Sequence, residues 1–467
     1  MAETEKPPEI APRSQRREYG KTLRELVPHN SHGLWEPGPD RPDPISLLQE
    51  QDASRLQDLV PIKYGRMVAS PFAFLRGSAT VMAADLSNTP FSGLEVQLCG
   101  DAHLSNFGVF ATPERKLVFD LNDFDETHPG PWELDLKRLA ASAVVAGRDN
   151  GFSEIANRKL AIAVTERYAE AMDTLAKART LDVWYFHVDA ELVEEAFERS
   201  SKKARKSVQK MVGKAQTKTQ EQTLEKLTHW VDGHRRFISE PPLLVPLDEL
   251  LTEEQDELAT RSQIEEAWAQ YLESLPEERR RLLSRFRMAD LALRVGGVGS
   301  VGTRCWILLL EGGAEDDAII LQLKEAGASV LEPYTTESSY ESAAQRVVQD
   351  QRLTQATSDV FLGWHKGAIT GVHYYWRQLK DMKGSLDVTG LDEAGFETYL
   401  QVCAACLARA HARTGDAAAI AGYIGKGQTL AKAIADFADA YADQTEQDHQ
   451  ALVEAIESGR VAAEIGI

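Results

Sequence analysis

The apolar positions change their period several times along the chain, and each change predicts a change of element. From residue 46 to 90 they recur at helical spacing, with an apolar patch, "SPFAFLRGSATVMAADL", that encloses Arg76. Between 94 and 124 the period falls to two. "LEVQLCG" alternates, and "FGVF" and "KLVFDL" flank "ATPER", which predicts a hairpin with a proline-containing turn. "GPWELDLKRLAASAVVAG" then predicts a helix, with Pro131 near its first position and Gly147 near its end. "SEIANRKLAIAVTERYAEAMDTLAKA" predicts a second amphipathic helix, with Ser153 as its cap.

A long helical and highly charged stretch follows. Its densest basic run is "SKKARKSVQKMVGKAQTK", read as a solvated helix face. Strands return near residue 290 as "DLALRV", "RCWILLLEG" and "DAIILQLKEA". A helix is expected over about 338–357, then two strands in "DVFLGWHKG" and "GVHYYWRQL", then helices from 391 to the end. The expected organisation is a flexible tail over 1–45, a helix-and-hairpin segment over 46–180, a helical insertion over 181–288, a sheet over 289–383 and a helical remainder over 384–467.

Composition narrows the function. At 467 residues and 43% hydrophobic content the chain can bury a large core. A net charge of −20 argues against nucleic acid and against anionic membranes as partners. The four cysteines are too few for a disulfide scaffold and suit a reducing compartment. Cys403 and Cys406 form the one C-x-x-C, within a helical pattern that predicts a buried face. With no apolar run near ~18 residues and no leader-like N-terminus, a soluble, cytoplasmic protein is expected.

Two segments carry candidate chemistry. "GGVGSVGTRCW" places Gly297, Gly299, Ser300 and Gly302 between two expected strands. A glycine turn there lets backbone N–H groups approach phosphates, the way kinases cover ATP, whereas a dinucleotide fold needs a helix after the turn. Lys324, on the next strand, is placed to face the phosphates. The acid expected to hold that lysine is Glu341, ahead of Glu337 and Glu332. The second segment is "CGDAHLSNFG", with Asp101, His103 and Asn106, followed by "FDLNDFDET". Asp101 and Asn106 are five positions apart, the spacing of the catalytic Asp and metal-binding Asn of protein kinases. Asp123 is the second metal-ligand candidate, Asp120 competes with it, and Asp125 is a further possible ligand.

"GDAHLSNFG…NDFDE" resembles the signature of the aminoglycoside phosphotransferase and choline kinase branch of the protein-kinase-like superfamily. From about residue 15 to the end the chain is identified as a member of the domain of unknown function 2252 family, which is related to that superfamily. The resemblance implies an α+β, two-lobed protein-kinase-like fold with a helix-rich larger lobe, and it implies ATP and magnesium. It makes Asp101 the catalytic base and His103 the motif histidine. Asn106 and Asp123 become metal ligands, Lys324 the phosphate lysine, and Asp135 the brace of the catalytic loop. Two features depart from it. Cys99 stands where that branch usually has histidine, and the glycine turn follows the catalytic loop instead of preceding it. The second departure implies a circular permutation with a hinge near Gln378–Lys383. The expected function is phosphoryl transfer from ATP to a hydroxyl or amine of a small molecule. A nucleotide-binding pseudokinase and an adenylyl transferase using the same site are the alternatives. A metallophosphoesterase would require further histidines and would leave the glycine turn without a role.

Overall fold

Where the sequence alternates, strands form, and where it repeats at helical spacing, helices pack on them. The computed structural model describes residues 6–217, 219–251, 254–314, 316–367, 371–379 and 382–466. The chain opens with α1 (Arg13–Leu26), α2 (Pro44–Asp52), α3 (Val60–Met67), α4 (Pro71–Gly77) and α5 (Ala79–Leu86). Proline sits in the first turn of α2, α3 and α4, where its missing N–H has no helical acceptor to lose. Asp43 and Ser70 cap α2 and α4 by accepting from the N–H groups of Ser46 and Ala73.

Strand β1 (Glu95–Leu98) then leads into the hairpin of β2 (Phe107–Ala111) and β3 (Leu117–Leu121). β4 (His128–Pro131) returns antiparallel to β1. Helices α6 (Glu133–Asp149) and α7 (Glu154–Lys177) follow. The next stretch holds α8 (Thr180–Tyr185), β5 (Val188–Asp189), α9 (Ala190–Ala196), α10 (Lys202–Thr217) and α11 (Gln220–Leu227). It continues through β6 (Thr228–Val231), β7 (His234–Phe237), β8 (Leu244–Pro246), α12 (Leu247–Leu250), α13 (Glu254–Glu273) and α14 (Glu277–Leu283). Strands β9 (Arg287–Arg294), β10 (Cys305–Glu311) and β11 (Ala318–Ala326) precede α15 (Ala343–Thr354), β12 (Gly363–Lys366) and β13 (His373–Gln378). The chain closes with α16 (Glu393–Thr414), α17 (Ala417–Ile424) and α18 (Gln428–Glu457).

The protein is α+β. Its main sheet is antiparallel, six-stranded, in the order β12-β13-β11-β10-β9-β8. Period-two alternation gives that sheet two apolar faces. Ile307, Leu309 and Ile320 point to one and pack on Leu224 and Leu227 of α11 and Phe237 of β7. Leu308, Leu310 and Leu321 point to the other and pack on Tyr271, Leu275 and Leu283. The stretch expected as a helical insertion therefore covers both faces of the sheet. It also supplies an edge strand, β8, which pairs with β9, and the hairpin of β6 and β7. The sheet thus begins before residue 289, because a two-faced sheet needs a layer on each side.

A second, larger core joins α6, α7, α16, α17 and α18 around the β1–β4 segment. Within the expected flexible tail lies α1, a helix docked on α17. The two cross at glycines: a Cβ at Gly20 would lie 1.9 Å from the Ala419 carbonyl oxygen, and one at Gly422 would lie 2.1 Å from that of Arg17. Arg24 adds a 2.7 Å hydrogen bond to the Tyr423 carbonyl. Cys403 and Cys406 sit on the buried face of α16. Among the described residues no helix is long and apolar enough to cross a membrane. Residues 380–381, within the expected hinge, lie outside the described residues.

Candidate functional site

The segment 99–106 is pinned from behind by α6. Gly100 takes φ +83, and a Cβ there would lie 1.9 Å from the Glu126 carbonyl oxygen, so glycine meets both demands. The buried Asp135 carboxylate accepts from the N–H groups of Cys99 and Gly100 at 2.7 and 3.0 Å. His411 Nε2 lies 3.2 Å from the same carboxylate. One helical turn on, Arg138 donates from Nε to Asp101 Oδ1 at 2.8 Å and from Nη2 to the Leu75 carbonyl at 2.7 Å. That fixes Asp101 and leaves its Oδ2 facing His103 Nε2, 3.6 Å away.

His103 Nδ1 accepts from the Ser105 N–H at 3.2 Å. Burial, with Arg138 and Arg76 nearby, outweighs the pull of Asp101 and lowers its pKa to about 4. The ring is neutral at pH 7, and its Nδ1 hydrogen bond orders the turn beside Asp101. Asn106 Nδ2 donates to the Asp101 carbonyl at 2.7 Å, which leaves the side-chain oxygen for a cation. The Asn122 N–H donates to the Asn106 carbonyl at 3.0 Å, and this bond brings "NDFDE" beside the first loop.

The opposite wall is the sheet. β9 and β10 are antiparallel neighbours, so the glycine turn joins strand to strand. Gly297, Gly299 and Ser300 line the cleft between the walls. Gly302 does not. It takes φ +86, packs against the Arg55 side chain, and accepts from the Leu56 N–H at 2.8 Å. The Arg55 guanidinium reaches the Val301 carbonyl at 2.5 Å, and Val301 is buried against Leu59 and Ile62. The turn is thereby fastened to the helices at the start of the chain.

Lys324 crosses the cleft. Its side chain is 4% exposed, and Nζ lies 3.5 Å from Asp123 Oδ1 and in closer ion-pair contact with Asp125 Oδ2. The Tyr375 hydroxyl donates to Asp125 Oδ1 at 2.7 Å. Burial disfavours the charged lysine, but Asp123 and Asp125 outweigh it and hold its pKa well above the usual value. Burial likewise opposes ionisation of Asp123, and Lys324, Arg377 and Lys383 overcome it, lowering the carboxyl to about 2. Asp123 Oδ1 is buried with no hydrogen-bond partner. The exposed part of that side chain is therefore its other atoms.

One expectation changes. Glu341 is exposed and pairs with Lys366 at 3.2 Å instead of Lys324. The acids that hold the lysine come from "NDFDE" on the other wall. Helix α15 contributes Arg346, which donates to the carbonyls of Thr127, Asp125 (3.0 Å) and Gly327 (2.9 Å), and so fixes that acidic segment. Asp125, expected as a further metal ligand, pairs with Lys324 through Oδ2 and accepts from the Tyr375 hydroxyl at Oδ1. The competing Asp120 is buried in an ion pair with Arg409 at 2.5 Å.

The cleft has a volume of about 630 Å³, within the range of small-molecule sites. In a chain of net charge −20 it is lined by Arg55, Arg76, Arg294, Lys324, Arg377 and Lys383. Sequence reasoning did not single out Arg138, Arg294, Arg377 or Lys383. The signal was available for the arginines, each a cation among apolar residues: Arg138, beside Lys137, in "LKRLA", Arg294 in "LALRV" and Arg377 in "YYWRQ". Among the described residues no group of three or more His, Cys, Asp or Glu gathers as a metal site. The oxygen ligands at hand are Asp123, whose buried Oδ1 has no hydrogen-bond partner, and the Asn106 side-chain oxygen. Such a pair suits magnesium, which takes few protein ligands and fills its shell with phosphate oxygens and water.

The family model described as "Uncharacterized protein conserved in bacteria (DUF2252)" matches residues 55–455. No curated protein and no solved structure matches the chain.

Proposed function

The chain belongs to this family of proteins conserved in bacteria, and we propose that it is an ATP- and magnesium-dependent phosphotransferase acting on a hydroxyl or amine of a small molecule. The observation that carries the reading is Lys324 Nζ lying 3.5 Å from Asp123 Oδ1, between walls about 200 residues apart in sequence. A lysine and two carboxylates, Asp123 and Asp125, meeting across a cleft rich in arginine and lysine suit a polyphosphate and its metal. In this reading the six-stranded sheet is the smaller lobe of a kinase-like fold and the helical body the larger. Their order along the chain is exchanged, because a cleft needs its groups together in space and not in sequence.

Each residue then has a task. The N–H groups of the turn around Gly297 and Gly299 approach the phosphates where no side chain stands between. Lys324 exchanges Asp125 for phosphate oxygen. Asn106 and Asp123 hold magnesium, whose contribution is to neutralise phosphate charge. Asp101 Oδ2 takes the proton of the attacking hydroxyl, while Arg138 keeps that carboxylate aimed. Asp135 holds the backbone beneath it.

Thermal denaturation with ADP and with a non-hydrolysable ATP analogue, each with and without magnesium, tests the nucleotide site. A magnesium-dependent rise in melting temperature is expected. Asp101→Asn should keep that rise while ATP turnover falls about a thousandfold or more. Absence of any nucleotide shift in wild type, or full turnover in Asp101→Asn, would overturn the proposal.

A further inference from the structure

Arg76 ends α4 and lines the cleft. Its Nε is buried without a hydrogen-bond partner, and among the described residues no carboxylate pairs with its guanidinium. Its one aromatic neighbour is Phe72, whose ring centre is 6.0 Å away. Three neighbouring guanidinium groups are provided for within the protein. Arg138 holds Asp101 and the Leu75 carbonyl, Arg55 holds Asp52 at 2.9 Å and the Val301 carbonyl, and Arg377 donates to Gln322 Oε1 at 2.9 Å. A half-buried guanidinium whose Nε is shut off from water and has no acceptor is costly to keep. It is readily explained where a ligand brings the missing anion.

The position says which anion. Arg138 ties the Leu75 carbonyl, one residue before Arg76, to Asp101, and the Phe72 ring centre lies 6.0 Å from the Arg76 guanidinium and 6.4 Å from that of His103. Arg377 and Lys383 act on Asp123, at the end of the cleft assigned to the metal and phosphates. Arg76 therefore stands on the side of the base, where the acceptor enters. Resting on the phosphotransferase reading, we infer that the acceptor carries an anionic group, a carboxylate or a phosphate, and that Arg76 binds it beside the hydroxyl that Asp101 deprotonates. A planar guanidinium matches either group with two parallel hydrogen bonds. In the transfer the acceptor oxygen bonds to the γ-phosphorus and the bond from that phosphorus to the β,γ-bridging oxygen breaks. ADP leaves with the electron pair, and the hydroxyl proton passes to Asp101 Oδ2. A cationic amine acceptor would meet Arg76 as a like charge and be disfavoured.

The test loads wild type, Arg76→Gln and Arg76→Lys with a magnesium-bound non-hydrolysable ATP analogue, then titrates inorganic phosphate and malonate separately by calorimetry. At least one anion is expected to bind loaded wild type, phosphate if the acceptor is a phosphate ester and malonate if it is a carboxylic acid. Arg76→Gln should weaken that anion about tenfold or more, and Arg76→Lys should retain part of the affinity. Affinities for ADP and for the analogue should stay within about twofold, and the melting temperature of Arg76→Gln should hold or rise, since an unpaired charge is removed. Failure of both anions to bind loaded wild type, or unchanged affinity in Arg76→Gln, would overturn the inference. So would loss of the analogue but not ADP, which would assign Arg76 to the γ-phosphate, or a melting temperature lower by several degrees, which would make it structural. If the analogue does not bind wild type at all, the phosphotransferase reading fails first, and the two failures are told apart.

Discussion

The two walls of the cleft are built in opposite ways. The wall carrying Asp101 is complete within itself. Asp135 holds its backbone, Arg138 holds its carboxylate, His103 caps its turn, and the core residues beside it, Ala102 and Leu104, are 0% exposed. The sheet wall is not. Lys324, Arg294 and Arg377 stand on strands made mostly of aliphatic or, around Arg377, aromatic residues, and the acids that balance Lys324 belong to the far side. One wall is organised before any ligand arrives, as preorganised electrostatics demands. The other is held in charge balance by its opposite, which also means that a phosphate can take over the same cations.

The widest break in that contrast is Lys324→Met. It preserves length and apolar contact along β11 but leaves Asp123 and Asp125 facing each other without their cation. A loss of about 3 kcal/mol in unfolding free energy is expected, the low end for breaking a buried pair, because both carboxylates keep an edge toward the cleft. Nucleotide binding should vanish with it. Adding Asp125→Asn should recover part of the stability and none of the binding, a coupling readable by a double-mutant cycle. A loss under about 1 kcal/mol would mean that the walls do not depend on each other.

Asp135→Asn probes the self-sufficient wall. An amide accepts fewer hydrogen bonds than the carboxylate, so one of the N–H groups of Cys99 and Gly100 is left buried and unmet. Chemical denaturation should register a loss of about 2 kcal/mol. The signature that sharpens the comparison is selectivity. ATP turnover should fall because the Asp101 loop loosens, while the nucleotide-induced melting shift, which rests on Lys324 and the glycine turn, stays close to wild type. An equal loss of both would say that the loop and the sheet are one unit.

The same contrast explains what the sequence disclosed. Local chemistry was legible: the five-residue interval from Asp101 to Asn106, the hairpin after it, the glycine turn between strands, and Lys324 on the strand that follows that turn. Each is a short-range pattern, and the structure brings those segments to one cleft. What depended on distant partners was not legible. Glu341 was expected to reach Lys324 from the next helix, yet the counterion came from the other wall, where no spacing rule connects the two. Helix α1 escaped notice because its dock on α17 uses glycines where backbones touch, with only Gly20 and Leu23 buried, in place of an apolar stripe. β8 escaped because three residues ending in proline carry too little alternation to register as a strand. Arg138 was hidden by its own setting, one of several charges in a helix that is buried almost end to end.

Lys383 gives the finest test, through pH. Burial and the charge of Arg377 press its ammonium down to about 7, against the opposing pull of Asp123. In the free protein it is thus cationic below that value and increasingly neutral above it. A polyphosphate beside it favours the charged form, so binding above pH 7 must take up a proton and affinity must fall as pH rises, by at most about tenfold per unit. Below pH 7 the lysine is already charged and its contribution is flat. The nucleotide's own terminal phosphate titrates nearby, so the informative quantity is the ratio of wild-type to Lys383→Met affinity. That ratio should be constant from pH 6 to about 7 and shrink from there toward pH 9. A ratio that holds level across the whole range would place Lys383 away from the phosphates and leave Lys324 as the cation of the sheet wall that meets them.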